Sequence, residues 1–218
     1  MTRQERGRVF YGIKERNQEA LQELGLFVAE SPVYYWVCGA QGSGKSLIRQ
    51  CLSQWVKNKG VNPNEFSDGD YILKAIQKDV NQKWHKKRGD GFMVTDGKLD
   101  DWMYTQMMQD LPDHGVNMIE AMRGHDVSNT RDFSYGKLIS YMPENIKNKS
   151  VIVYVDTPFE TRLERNRNRK GDNTNGDFRH IPEDLLYKFS ATDDFNSFRR
   201  GVNMPTIVID NQIQINGN

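Results

Sequence analysis

The sequence predicts a three-layer α/β sandwich on a five-stranded parallel sheet, and three observations carry that prediction. Residues 33–38 (VYYWVC) form an unbroken apolar and aromatic run between Pro32 and Gly39, the composition of a strand covered on both faces. Strand-like segments recur at 65–67, 116–120, 151–156 and 206–210, and helix-length segments separate all five. Parallel neighbours require such crossover connections, which are usually helical. The length of 218 residues suits one domain whose core needs no disulfide staple.

Taken in order, residues 14–28 place Ala20, Leu21, Leu24 and Phe27 at helical spacing, so residues 1–30 are expected to form a helical extension before the first strand. Residues 47–56 have the period of a helix, and a weaker strand follows at 65–67. Helices are expected over 70–87 and 99–109, the second stopped by Leu111 and Pro112. Trp102, Met103, Met107 and Met108 read as core or hinge packing on that helix. After the strand at 116–120, a helix is expected at 135–142, a strand at 151–156, helices at 159–168 and 182–189, and the last strand (TIVID) at 206–210. The Gly-, Asn- and Asp-rich stretch 170–179 reads as a loop within a lid at about 168–181. With no repeat and no dividing linker, residues 1–218 are read as a single domain.

Thirty Lys and Arg against 29 Asp and Glu exclude bulk neutralisation of a polyanion, so any nucleic-acid contact must be local. Cys38 and Cys51 have no ligand or redox spacing, which argues against a disulfide framework or a structural zinc. His114, His125 and His180 likewise have no metal-binding spacing. Without a signal-peptide pattern or a long apolar run, the expectation is a cytoplasmic protein with no membrane partner.

Gly39-Ala40-Gln41-Gly42-Ser43-Gly44-Lys45-Ser46 matches G-x-x-x-x-G-K-[ST] between a buried strand and a helix. Such a loop wraps backbone N–H groups around phosphates, its Lys reaches the β/γ-phosphates and its Ser hydroxyl ligates Mg²⁺. Gly39, Gln41, Gly42, Ser43, Gly44, Lys45, Ser46 and Leu47 are therefore the expected nucleotide contacts, with ATP and Mg²⁺ as cofactors. A Ras-type GTPase would also need DxxG and NKxD elements, which are missing in the required order.

Asp68 and Asp70 follow the second strand at the edge where α/β sheets bind ligands, so one of them is expected to be the base for an acceptor hydroxyl, the competing role being helix capping. Glu120 ends a strand where a carboxylate would meet a magnesium-bound water. Arg123 follows by three, and a structural Glu120–Arg123 salt bridge is the alternative. Arg162, Arg165 and Arg169 share a helix face, and the first two lack acidic neighbours three or four residues away. They read as a phosphate clamp or as a basic exposed face. Asp156 and Thr157, ahead of Pro158, read as a helix cap. The run 83–88 (KWHKKR) is either a nucleic-acid contact with Trp84 stacking on a base, or the cationic end of a helix before Gly89.

The segments Asp156-Thr157-Pro158-Phe159, Leu163-Glu164-Arg165-Asn166-Arg167-Asn168-Arg169 and His180-Ile181-Pro182-Glu183-Asp184-Leu185-Leu186, with the phosphate loop and the Asp68/Asp70 region, resemble phage-type polynucleotide kinases and the zeta-toxin-like kinases over residues 33–210. The resemblance implies transfer of the ATP γ-phosphoryl group to a hydroxyl. It favours Asp70, which precedes Tyr71, as the base, Arg165 and Arg169 as the working arginines, and Glu120-x-x-Arg123 as facing the acceptor. It points to a nucleic-acid or nucleotide acceptor, either a strand's 5′-OH or a hydroxymethylated base in DNA. The rival readings are a kinase of nucleosides, nucleotides or sugar nucleotides, and a nucleotide-dependent regulatory ATPase.

Overall fold

The computed structural model describes residues 32–88, 91–124, 132–168 and 181–211. The expected helix at 14–28 lies outside them, as does the lid at about 168–181 apart from Asn168 and Ile181. The strand β1 (Val33–Gly39) leads through the phosphate loop to α1 (Lys45–Lys57) and β2 (Asn64–Ser67). Next come α2 (Asp68–Lys78), a hairpin of β3 (His85–Arg88) and β4 (Gly91–Val94), α3 (Lys98–Asp110) and β5 (Val116–Met122). The chain then forms α4 (Tyr135–Ser140), α5 (Glu144–Lys147), β6 (Ser150–Asp156), α6 (Phe159–Asn168), α7 (Glu183–Ser190), α8 (Phe195–Phe198) and β7 (Thr206–Asp210).

The main sheet has five parallel strands in the order β2-β5-β1-β6-β7, the predicted class. Central β1 is buried along its whole length, which accounts for its uninterrupted apolar run. Tyr34, Trp36 and Cys38 join one core layer with Leu99, Met103 and Met107 of α3. Val33, Tyr35 and Val37 join the other with Ile48, Leu52 and Val56 of α1. The chain leaves β1 toward β2 and later crosses to β6, so the reversal of strand order falls beside the carboxyl end of β1, where open α/β sheets bind ligands. Among the described residues no helix is long and apolar enough to cross a membrane.

One expected element is corrected. The helix read over 70–87 ends at Lys78, and its cationic tail is a β-strand. The cause is Asp79, whose carboxylate accepts from the Lys83 N–H (2.9 Å), the Trp84 N–H (2.6 Å) and His85 Nδ1 (2.9 Å), folding the chain back at helix end. Gln82 adopts a left-handed φ of 50° within this turn. Asp79 and His85 are both buried, and His85 meets Phe92 of β4 edge-on. Burial works to raise the Asp79 pKa, but the Trp84 and Lys83 N–H donors and His85 outweigh it and hold the carboxyl below its usual range. For a carboxylate with a depressed folded pKa, the linked stability is present above the ordinary value and disappears as pH falls through the depressed one. Asp79→Asn is therefore expected to speed amide hydrogen exchange at Lys83 and Trp84 roughly tenfold at neutral pH. The gap should narrow below the ordinary aspartate value of about 3.9, and a gap independent of pH would refute the assignment.

Candidate active site

The phosphate loop stands at the carboxyl end of β1. Gly44 opens α1 at φ 93°, and a Cβ there would lie 2.5 Å from Asn211 Nδ2. Gly42 sits at φ 79° with its would-be Cβ 3.1 Å from the Arg162 carbonyl, so both positions require glycine. Buried Lys45 donates from Nζ to the Ala40 carbonyl at 3.1 Å. Burial lowers the Lys45 pKa, while the charges of Glu120 and Asp68 counter it.

Glu120 lies between Val37 of β1 and Ser67 of β2 in the strand register. It accepts from Ser46 Oγ at 2.8 Å and from Arg49 Nε at 3.4 Å, and Arg49 also pairs with Glu65. Glu120 thus pairs with Arg49 of α1; the weighed Glu120–Arg123 bridge is not formed. A serine hydroxyl and a carboxylate in direct contact are hard oxygen donors. No group of three His, Cys, Asp or Glu among the described residues could cage an ion. That sparse set fits Mg²⁺, which keeps waters and takes phosphate oxygens as its remaining ligands.

The α2 cap is Ser67, whose Oγ accepts from the Gly69 N–H at 3.2 Å; neither aspartate's side chain caps the helix. Asp68 Oδ2 accepts from the Met122 N–H (2.5 Å) and Tyr104 Oη (3.3 Å). Burial raises the Asp68 pKa against the pull of Arg123 and Lys45. Asp70 is exposed, and its carboxylate has no hydrogen bond or ion pair among the described residues.

Arg123 is 1% exposed, its guanidinium 4.4 Å over the Tyr104 ring and 4.9 Å from the Phe133 ring, and its N–H donates to the Gly39 carbonyl. It therefore lies in the wall behind the loop. Gly124 allows this path, since a Cβ there would meet the Phe189 carbonyl at 2.1 Å. Tyr104, which joins Arg123 to Asp68, is marked in the sequence only by a hydroxyl within an apolar helical stripe. Burial pushes the neighbouring Cys38 thiol up to about 12, against the opposing charges of Arg123 and Lys45, which leaves it unreactive.

The arginine face of α6 turns toward the back of the loop. Arg162 donates to the carbonyls of Thr157 (3.0 Å), Ser190 (2.6 Å) and Gln41 (3.4 Å), so backbone oxygens take the place of acidic partners. Arg165 donates to the Gly42 (3.4 Å), Ser43 (3.2 Å) and Asn211 (3.1 Å) carbonyls. Arg169 lies outside the described residues.

Three donors converge on one oxygen: the Ser43 carbonyl accepts from Asn211 Nδ2 (2.7 Å), Thr157 Oγ1 (3.0 Å) and Arg165 Nη1 (3.2 Å). A trans peptide holds its C=O and N–H antiparallel, so pinning this oxygen outward fixes the Gly44 N–H on the opposite side. Thr157, read as a cap, thus serves the loop, and Asn211 had no local signal at all, being 168 residues away in sequence. Asn211→Ala should raise the Kd for ATP roughly 5- to 20-fold, the scale of one lost hydrogen bond and a freed carbonyl. Calorimetric titration checks this, and an unchanged Kd would remove Asn211 from the loop's support.

No protein-family model and no curated protein matches the chain. Among solved structures it is similar to a candidate kinase from Chloroflexus aurantiacus J-10-fl, with a TM-score of 0.52 at 12% identity over 86% of this chain and 89% of that one. It is also similar to shikimate kinase from Acinetobacter baumannii in complex with shikimate, with a TM-score of 0.42 at 13% identity over 85% of each chain. The first likeness establishes a shared α/β architecture, with the phosphate loop of this chain following its central strand.

Proposed function

We propose that this protein is a P-loop phosphotransferase that moves the γ-phosphoryl group of ATP to a hydroxyl on a nucleic acid, either a strand's 5′-OH or a hydroxymethylated base. The carrying observation is the convergence of Lys45, the Ser46–Glu120 pair and Asp68 at the carboxyl edge of β1, β5 and β2, with Asp70 two residues on in the first turn of α2. The resemblance to polynucleotide kinases and the cationic β3 strand support a polyanionic acceptor.

In this reading Lys45 faces the β- and γ-phosphates, and Ser46 with Glu120 would hold Mg²⁺, which when bound offsets charge on the phosphate oxygens. The acceptor O–H gives its proton to Asp70 as the new O–P bond forms and the bond to the β,γ-bridging oxygen breaks, releasing ADP. Asp70 suits this role because its oxygens are uncommitted and open to an incoming group. Asp68, held by Met122 and Tyr104 and close to Lys45, stays on the phosphate side.

The test is transfer from γ-labelled ATP with Mg²⁺, offering 5′-OH single-stranded DNA, RNA, hydroxymethyluracil duplex and a nucleoside mixture in parallel. Label on a polymer supports the proposal and names the acceptor. Label only on small molecules, or only as free phosphate, overturns it in favour of a metabolite kinase or a regulatory ATPase.

A further inference from the structure

We infer that the β3–β4 hairpin is a docking strip for the phosphate backbone of the acceptor strand, an inference that rests on the nucleic-acid reading above. Lys83, Lys86 and Lys87 are exposed, and their side chains have no hydrogen bond or ion pair among the described residues. Some cations elsewhere pair with carboxylates, Lys57 with Glu65, Lys137 with Asp101, Lys147 with Glu144 and Arg167 with Glu183, and those that do not among the described residues, such as Lys78, Lys98 and Lys149, are scattered singly along the chain. A solvated face that served solubility alone would mix its signs in the same way. Here three unneutralised charges sit within five residues.

The strip is held rigidly. Asp79 clamps its entry, and the Trp84 carbonyl accepts from the Thr95 N–H at 2.8 Å on the returning strand. Trp84 and Phe92 pack against the core, so Trp84 anchors the hairpin instead of stacking on a base. Arg88 pairs with Asp184 at the start of α7, whose other acidic residue, Glu183, is held by Arg167 of α6. The hairpin is thereby tied to the helix pair that carries Arg165 to the phosphate loop.

Distance decides what kind of acceptor this strip can serve. Eight residues of α2 follow Asp70 on the way to the hairpin, and at about 1.5 Å per residue that is roughly 12 Å. A strand rising about 3.4 Å per nucleotide covers this in about four nucleotides, whereas a single nucleoside cannot reach both ends. The contacts are lysine point charges to phosphate, so they confer affinity without sequence preference.

The test measures anisotropy of a fluorescein-labelled 5′-OH dT12 strand across a salt series, with transfer to unlabelled strand in parallel. For Lys83→Ala/Lys86→Ala/Lys87→Ala the slope of log Kd against log salt should fall by about 2 units, since each phosphate contact on a single strand contributes about 0.7. The KM for the strand should rise at least about tenfold while kcat holds. A control that removes paired lysines, Lys57→Ala/Lys147→Ala, should leave the slope unaltered. Equal slopes and affinities for the triple variant and the parent, with the parent transferring to the strand, overturn the docking strip alone. A parent that neither binds nor labels any strand overturns the nucleic-acid reading itself, and the strip with it.

Discussion

Asp70→Asn is expected to lower kcat for phosphoryl transfer at least about 10²-fold, the scale of a positioned general base, with little change in the KM for ATP. Asp70 is exposed in the first turn of α2 and Ser67 supplies the cap, so the change alters stability by less than about 1 kcal/mol through the helix dipole. Asp68→Asn behaves differently. It sits beside Lys45 and keeps an oxygen for the Met122 N–H and Tyr104 Oη, so its effect falls on ATP affinity. Burial raises the Asp68 pKa, which means that ionising this group costs stability as pH rises through the carboxylate range. The amide removes that cost, and thermal melts should show a Tm held or raised at neutral pH, with the gain vanishing in acid where Asp68 is protonated folded and unfolded alike. A normal kcat for Asp70→Asn would pass the base role to Asp68.

Lys45→Met is expected to abolish transfer, by at least about 10³-fold, because in the proposed mechanism it removes the loop lysine that faces the β- and γ-phosphates. The side chain is buried, with its ammonium on the Ala40 carbonyl and its pKa lowered by that burial. Holding it protonated therefore opposes folding, and methionine keeps the aliphatic volume without the charge. The expected signature is an inactive protein whose Tm is at least that of the parent, measured by steady-state turnover and a thermal melt. Retained turnover would end the assignment of the phosphate loop. A collapsed melt would show that the ammonium is needed for the Asp68 and Glu120 charges to share the site.

The hairpin shows where reading by period stops. Residues 70–78 do form the helix their spacing predicts, but 83–88 carry charge without apolar rhythm, and a run of cations looks the same at a helix end as on an edge strand. What separates them is Asp79 capturing two N–H groups and a histidine ring, a local trap that competes with the helix ladder. The arginine face of α6 is a second case. Its shared face was legible, and so was its lack of acids, but that the partners of Arg162 and Arg165 are carbonyls of the loop, Ser190 and Asn211 depends on elements far away in the chain.

By itself the sequence determined the parallel sheet, the burial of the strand at 33–38, and the loop from Gly39 to Ser46. These follow from contiguous patterns: apolar runs that must be buried on both faces, and glycines that must turn tightly between a strand and a helix. Only the tertiary structure decided which side chains support the loop and which carboxylate stands where. The Ser43 carbonyl gathers Asn211, Thr157 and Arg165 from three separate segments, and Glu120 meets Ser46 and Arg49 across 74 and 71 residues. Such hydrogen bonds form only once strand register has brought their donors together, so no local spacing encodes them.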